Sequence, residues 1–317
     1  MDPQYVLSEI RKHGTDRTWW RKRFLTHVVS RYFSGPGRPD ADPVVETEWD
    51  HLIILDACRF DLFKTVYDRK PLPGEFDRRT SVESGTPGFL SENFGDDTFH
   101  DIVYVTGNPY VDTDLPDGTF HAVESVWKDG WDDEQQTVLP ETMAERTLDI
   151  VKQYPNKRII SHFLQPHTPF VGEVTLGQRE TFAIREKALG DDNARTQHRT
   201  PFELLDTGEV SYEQVWEAYR SNLEFAWPAV NRLLSELPGL TAVTSDHGNA
   251  MGERAWPFPI RVYGHPLGIL IPALTDVPWL TNTNGSRKEI TSEPPQKTDT
   301  EVDEITTERL RMLGYAE

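Results

Sequence analysis

Along this chain, apolar runs of strand length alternate with longer segments of helical periodicity. His51-Leu-Ile-Ile-Leu55 is continuously apolar after its histidine and stops in Asp56, the pattern of a strand covered on both faces of a parallel sheet. Runs of the same kind recur at residues 102–106, 158–164, 240–246 and 267–271. Between them, residues 141–152 and 212–237 repeat their apolar positions every three to four residues, which predicts helices. Such alternation predicts an α/β fold: a doubly wound, largely parallel central sheet with helices on both faces. In such sheets the site lies at the carboxyl ends of the strands, where Asp56 and Asp246 stand.

The flanks read differently. Residues 1–45 form a helical N-terminal extension: Tyr5, Ile10 and the run from Trp19 to Leu25 suit one or two short helices, and Gly35-Pro36-Gly37-Arg38-Pro39 breaks the chain before the first strand. Residues 46–280 make the main domain. Within it, 171–210 is polar and irregular, with Gly172, Gly177 and Gly190, and predicts a cap or loop insertion that sets substrate choice. From 281 to 317 the chain turns polar, predicting a flexible linker and then a short C-terminal helix at 301–313. There is no internal repeat.

Charge narrows the function. The 317 residues carry 33 Lys plus Arg against 52 Asp plus Glu, a formal net charge of −19. A phosphate backbone would meet a repulsive field, so nucleic acid is excluded as a general partner. Only 10 of the 33 basic residues are Lys. Arginine with abundant carboxylate suits a halophilic, haloarchaeal-type protein in a high-salt cytoplasm, where the screening length falls to about 3 Å at 1 M; an ordinary acidic enzyme is the plain alternative. The one basic, aromatic stretch, residues 17–33 with Arg17, Arg21, Lys22, Arg23 and Arg31, suits one of two roles. It makes peripheral contact with an anionic membrane or a partner, or it packs its tryptophans onto the main domain and pairs its arginines with acidic neighbours. Cys58 is the only cysteine, which excludes an internal disulfide and any cysteine-cluster zinc site. The first residues lack an apolar signal-peptide core, and no stretch of about 18 apolar residues occurs, so the expected location is cytoplasmic. The sequence sets no oligomeric state.

Five loops that follow strands carry candidate chemistry. Thr244-Ser-Asp-His-Gly248 places a hard oxygen ligand and an imidazole together at a strand end, with Gly248 letting the backbone turn; an acid–base dyad or a helix cap is the alternative. Leu55-Asp56-Ala-Cys-Arg-Phe-Asp61 offers Asp56 as a third ligand and Arg59 as a planar fork for phosphate or sulfate, with a structural ion pair as the equal alternative for Arg59 and Asp61 capping the next helix. Ser81-Val-Glu-Ser-Gly-Thr-Pro-Gly88 supplies hydroxyls that a metal or base would activate, Thr86 first and Ser84 next; turn and N-cap roles are the plain alternative. Gln165-Pro-His-Thr-Pro-Phe170 and Tyr263-Gly-His-Pro266 each hold a histidine, His167 and His265, beside stiffening prolines, suited to meeting a substrate oxyanion or leaving group; a satisfied buried histidine is the plain alternative for either alone.

Together these motifs resemble the sulfatase branch of the alkaline phosphatase superfamily. The segments at 55–61, 166–170, 244–248 and 263–266, and the closing Glu308-Arg-Leu-Arg-Met-Leu-Gly-Tyr315, occur in that family's order; the likeness spans about 48–280 plus the final helix and leaves the first 45 residues unexplained. The resemblance implies a sulfatase-like α/β sandwich in which Asp56, Asp246 and His247 bind one divalent cation (Ca²⁺, Mn²⁺ or Zn²⁺) near the Thr86 hydroxyl. It puts His167 and His265 on the substrate side, Arg59 near the anion, and Asn108 of Thr106-Gly-Asn-Pro109 on a phosphate oxygen. The chain also departs from the family. Gly85-Thr86-Pro87-Gly88-Phe89 lacks the oxidisable Cys or Ser and the Arg of the formylglycine motif, and Gln165 stands where a second metal cluster would need an acid. The expected activity is metal-dependent hydrolysis of a sulfate or phosphate ester on an anionic small molecule, glycan or lipid, without formylglycine. The alternatives are a phosphodiesterase or phosphonate-ester hydrolase, a phospho-group transferase, and a catalytically silent metal-containing binding protein.

Overall fold

The computed structural model describes Ser8 and residues 11–176 and 199–295. Tyr5, Ile10, most of the predicted 171–210 insertion, and the C-terminal helix with its closing motif lie outside the described residues.

Seven strands form the central sheet: β1 (His51–Leu55), β2 (Glu75–Thr80), β3 (Phe99–Thr106), β4 (Phe120–Ser125), β7 (Arg158–Phe163), β8 (Gly239–Thr244) and β11 (Asp276–Asn284), in the order β2-β11-β8-β1-β7-β3-β4. Strands β4, β3, β7, β1 and β8 pair in parallel, and β11 returns antiparallel between β8 and β2. Two short hairpins, β5 (Trp131–Asp132) with β6 (Thr137–Val138) and β9 (Ala250–Arg254) with β10 (Arg261–Gly264), lie outside the sheet.

The strand period of two splits the core into two layers. Ile53 and Leu55 of β1, Val103 and Val105 of β3, and Ile159 of β7 pack on one face, where α2 (Phe60–Tyr67), α4 (Pro140–Gln153) and α6 (Tyr212–Glu236) cover them. The alternate residues, Leu52, Ile54, Ile102, Tyr104 and Ile160, face the other way, onto Phe89, Leu90 and Phe94 of α3 (Thr86–Phe94). All of these side chains are essentially fully buried, each contributing on the order of 1.5–3 kcal/mol by leaving water. Helix α6 starts where Ser211 and Gln214 satisfy each other's backbone amides in a capping box.

Four expectations change. Residues 267–271 form no strand; Ile269, Leu270 and Ile271 instead fill a third cluster, and the strand follows at Asp276–Asn284. The polar stretch from 281 is not a linker at its start. Residues Thr281 to Asn284 pair with β8, and the chain then crosses the amino ends of the strands, with Arg287 Nε donating to Asp50 Oδ2 (2.7 Å) and Lys157 Nζ to Thr291 O (3.0 Å). Its polar side chains are those of a sheet margin. Residues Pro201–Thr207, read as loop, form helix α5, opened by a Thr200–Glu203 capping box and closed at Gly208 in the left-handed region (φ 76°). In the N-terminal extension, α1 (Arg17–Phe24) runs through a π turn, Leu25–Val29, into Ser30–Phe33. Leu25, Val29 and Phe33, not the tryptophans, pack against Ala250, Val262 and Ile269. Arg21 pairs with Asp206, and Lys22 with Glu203 at 2.8 Å, while Trp20 remains 45% exposed.

Candidate functional site

Continuing the two-residue step past the strand ends brings the chemistry to the α3 face. Asp56 follows Leu52 and Ile54, Asp246 follows Ala242 and Thr244, and Asn108 follows Tyr104 and Thr106. Parallel pairing of β1 with β8 makes Asp56 and Asp246 neighbours, and both are buried. Asp56, Asp246 and His247 each offer a ligand atom, all within 4.8 Å of one another.

Each ligand is aimed by its surroundings. Ala57 adopts a left-handed backbone (φ 59°), unusual for a residue with a Cβ. Its amide thereby donates to Asp246 Oδ1 (2.9 Å), which also accepts from the His247 amide (2.9 Å). Asp56 Oδ2 accepts from Asn108 Nδ2 (2.8 Å), whereas Asp56 Oδ1 is buried without a hydrogen-bond partner. His247 Nδ1 lies 2.8 Å from Gly248 O. A carbonyl only accepts, so Nδ1 carries the proton and Nε2 keeps a lone pair, 3.5 Å from Asp246 Oδ2 and 3.7 Å from Asp56 Oδ1. Gly248 is needed for close approach: a Cβ there would sit 2.4 Å from Ala273 O.

The electrostatics fit a cation. Burial and then the neighbouring Asp246 push the Asp56 carboxyl well above its usual range. Burial pushes Asp246 the same way, but His247, His162 and the Ala57 amide outweigh it and hold Asp246 as a strong acid. Burial lowers the His247 pKa against the opposing pull of Asp246. Two buried carboxylates, one unpartnered oxygen and one imidazole lone pair make a donor set for a divalent metal, oxygen-rich with one nitrogen.

Thr86 begins α3, and its Oγ1 donates to Asp246 Oδ2 (2.7 Å) and lies 3.5 Å from His247 Nε2. The helix amino end favours negative charge developing on this oxygen. The His265 ring lies 4.6 Å from that of His247, and His265 Nε2 lies 3.2 Å from His167 Nε2. His167 Nδ1 donates to Thr168 O (2.8 Å), so one proton is shared between the facing Nε2 atoms. Burial first, then the His247 and His167 rings, push the His265 pKa well below the usual imidazole value. Asn222 of α6 clamps this loop, its amide donating to Pro166 O (3.0 Å) and His167 O (2.9 Å). The histidine pair borders a cavity of about 490 Å³ whose other wall is Arg21, Lys22 and Leu25 of the N-terminal helical segment.

Three expected roles are not what the side chains do. The Arg59 guanidinium does not face the triad. It is forked onto Asp61 (2.8 and 2.7 Å) and bonded to Glu253 (2.6 Å) and Asn249 O (2.9 Å), so carboxylates occupy the sites meant for an anion. Asp61 accepts from the Leu62 amide as well as holding Arg59. Ser84 Oγ donates to Pro266 O (3.0 Å) and accepts from Ile269 N (3.3 Å), which fixes the His265 loop. Asn108 spends its amide on Asp56 instead of a substrate oxygen. Gln165 turns toward Thr137 and Val138. The Cys58 thiol is buried and pushed up by that burial, so it is no nucleophile.

His162 was not singled out from sequence. It is fully buried, bonded through Nδ1 to Tyr104 OH (2.9 Å), with Nε2 3.7 Å from Asp246 Oδ2 and otherwise unpartnered. The signal was available: His162 sits two residues beyond Ile160, on the row that leads to α3.

No family model matches the chain, and no curated protein matches it. Among solved structures it is similar to the soluble domain of lipooligosaccharide phosphoethanolamine transferase A from Neisseria meningitidis (10% identity, TM-score 0.45, covering 73% of this chain and 75% of that one). It is also similar to the C-terminal periplasmic domain of phosphoethanolamine transferase EptC from Campylobacter jejuni (15%, TM-score 0.46, 73% and 77%). A protein in the alkaline phosphatase superfamily from Vibrio parahaemolyticus is a third (11%, TM-score 0.37, 87% and 69%). Overlaps this partial say nothing of activity, and the chemistry has to come from the side chains themselves.

Proposed function

We propose that this chain is a metal-dependent enzyme that cleaves a phosphate or sulfate ester through a covalent Thr86 intermediate. The observation that carries the reading is the Thr86 hydroxyl, 2.7 Å from Asp246 Oδ2 and 3.5 Å from His247 Nε2 at a buried donor set suited to a divalent cation. Asp56, Asp246 and His247 would hold the ion, which when bound would lower the hydroxyl pKa and offset charge on the transferring group.

The chain's own residues supply the rest. Thr86 Oγ1 forms the bond to phosphorus or sulfur as the bond to the leaving alkoxide breaks. Thr86 passes its proton to Asp246 Oδ2, which it already hydrogen-bonds, while His265 Nε2 gives its proton to the leaving oxygen and regains one from solvent in the cavity. Water or an acceptor alcohol then releases the group from Thr86. The catalytically silent reading loses its motive, because a hydroxyl does stand at the donor set.

Charge narrows the substrate. Arg59 is held by Asp61 and Glu253, and the cavity cations Arg21 and Lys22 are paired with Asp206 and Glu203. A divalent ion and two carboxylates would sum to zero and the histidine pair is neutral, so no unpaired cation among the described residues of the site is left to match a second negative charge. This favours a monoanionic group, a phosphodiester or a sulfate monoester, over the dianion of a phosphate monoester. The test is turnover of an aryl phosphodiester, an aryl sulfate and an aryl phosphate monoester, with and without chelator. Chelator-sensitive cleavage of either monoanion well above the monoester is expected; a preference for the monoester would refute the charge argument.

A further inference from the structure

We propose that the face carrying the helical segment 17–33 and the segment 256–267 docks on an anionic lipid bilayer and that the ester entering the cavity is lipid-borne; the second half rests on the ester-cleaving reading above. Five of the nine large apolar side chains exposed among the described residues lie on these two segments: Trp256 (79%), Leu267 (55%), Trp20 (45%), Val28 (43%) and Phe24 (39%). They adjoin in space. Phe24 and Tyr32 pack edge-on against Phe258 with centroids 5.8 and 5.4 Å apart, and Leu267 borders the same cavity as Arg21 and Leu25. Trp20, Phe24 and Val28 recur at four-residue steps, on the side of the helical segment away from buried Leu25, Val29 and Phe33. An exposed apolar stripe of this kind marks an interaction site, and tryptophan is suited to a membrane–water interface.

Charge identifies the occupant. Residues 11–38 carry eight Arg or Lys and one acid, Asp16, in a chain whose net charge is −19. Arg21, Lys22 and Arg38 are paired with Asp206, Glu203 and Glu92. Arg17 and Arg31 bracket the apolar stripe, Arg23 lies beside it, and none of them makes an ion pair with a described residue. Basic residues flanking a shallow apolar stripe complement anionic headgroups over acyl chains. A second copy meeting this face by two-fold symmetry would instead oppose like charges. Leu267 of this face lines the cavity together with Arg21, Lys22 and Leu25 of the helical segment, so a headgroup ester would reach His167 and His265 without its lipid leaving the bilayer.

The experiment is flotation of the full chain with vesicles of phosphatidylglycerol and phosphatidylcholine, and with phosphatidylcholine alone. It compares wild type with the triples Trp20→Ser/Phe24→Ser/Trp256→Ser and Arg17→Glu/Arg23→Glu/Arg31→Glu, with circular dichroism confirming folded protein. All six positions lie outside the catalytic machinery. Wild type is expected to float with anionic vesicles, and each triple to lose at least tenfold in partitioning. No flotation, equal flotation of the triples, or a dimer in sedimentation that the serine triple abolishes would overturn docking. Flotation is read without turnover: an inactive protein that floats removes the ester-cleaving reading alone, and an active one that does not float removes docking alone.

Discussion

Two buried carboxylates at the ends of adjacent parallel strands repel each other, and the residues around them exist to hold that arrangement. The Ala57 amide and the His247 amide fix Asp246, Asn108 fixes Asp56, and the Gly248 carbonyl fixes the His247 tautomer. His162 belongs to the same set, poised on Asp246 and braced by Tyr104. His162→Gln should therefore weaken metal binding about 10–100-fold, the usual cost of losing a residue that orients a ligand. Titration calorimetry with Zn²⁺ or Mn²⁺ reads this, and an unchanged affinity would show that His162 only packs. That Asp56, Asp246, His247 and Thr86 come together was legible from sequence, because a strand end and a hydroxyl-bearing turn are local patterns. For Arg59 the ion-pair alternative holds, its fork closed on Asp61 two residues along, whereas Ser84 is held by Pro266, a partner too distant along the chain for sequence to reveal.

Among the elements, the central strands announced themselves, since a strand buried on both faces must be apolar at every position. Strand β11 escaped because its last residues, Thr281 to Asn284, are polar and half-exposed or exposed at the sheet margin. The run 267–271 misled for the converse reason: its apolar residues are used by the N-terminal helical segment, a partner that local periodicity does not reveal. That segment is thus both a wall of the cavity and a body held by few buried side chains. The double variant Leu25→Ala/Val29→Ala should loosen it by roughly 3 kcal/mol or more, within the range for such core truncations. Limited proteolysis should then cut within residues 11–38 well before the main domain unfolds. Cleavage at the wild-type rate would mean the segment is held by its ion pairs instead.

At the scale of the whole molecule, the sheet separates two regions of opposite use. Its carboxyl end carries the donor set, and its amino end is crossed by residues 285–295, where His51 is buried beside Lys288. Burial and then Lys288, opposed by Asp50, lower the His51 pKa from 6.5 to about 3. Between those values the unfolded chain holds a proton that the folded chain does not. The His51 contribution is complete above about pH 6.5 and is lost as pH falls toward 3. From pH 7 to 4.5 this amounts to about 3 kcal/mol, at about 1.4 kcal/mol per pH unit. Urea titrations at both pH values should show His51→Leu losing that much less stability than wild type. A parallel loss in both would place the acid sensitivity elsewhere.

The central claim is that Thr86, at the Asp56–Asp246–His247 donor set, carries the transferred group. Mass spectrometry of the Thr86-bearing peptide, acid-quenched during turnover of an aryl phosphodiester or aryl sulfate, tests it most directly. The account predicts a phosphoryl- or sulfo-adduct on Thr86 that disappears with chelator, and a Thr86→Ala variant that still binds metal but turns over at least a thousandfold more slowly. Steady turnover with Thr86 unmodified, or a Thr86→Ala variant working at the wild-type rate, would contradict it.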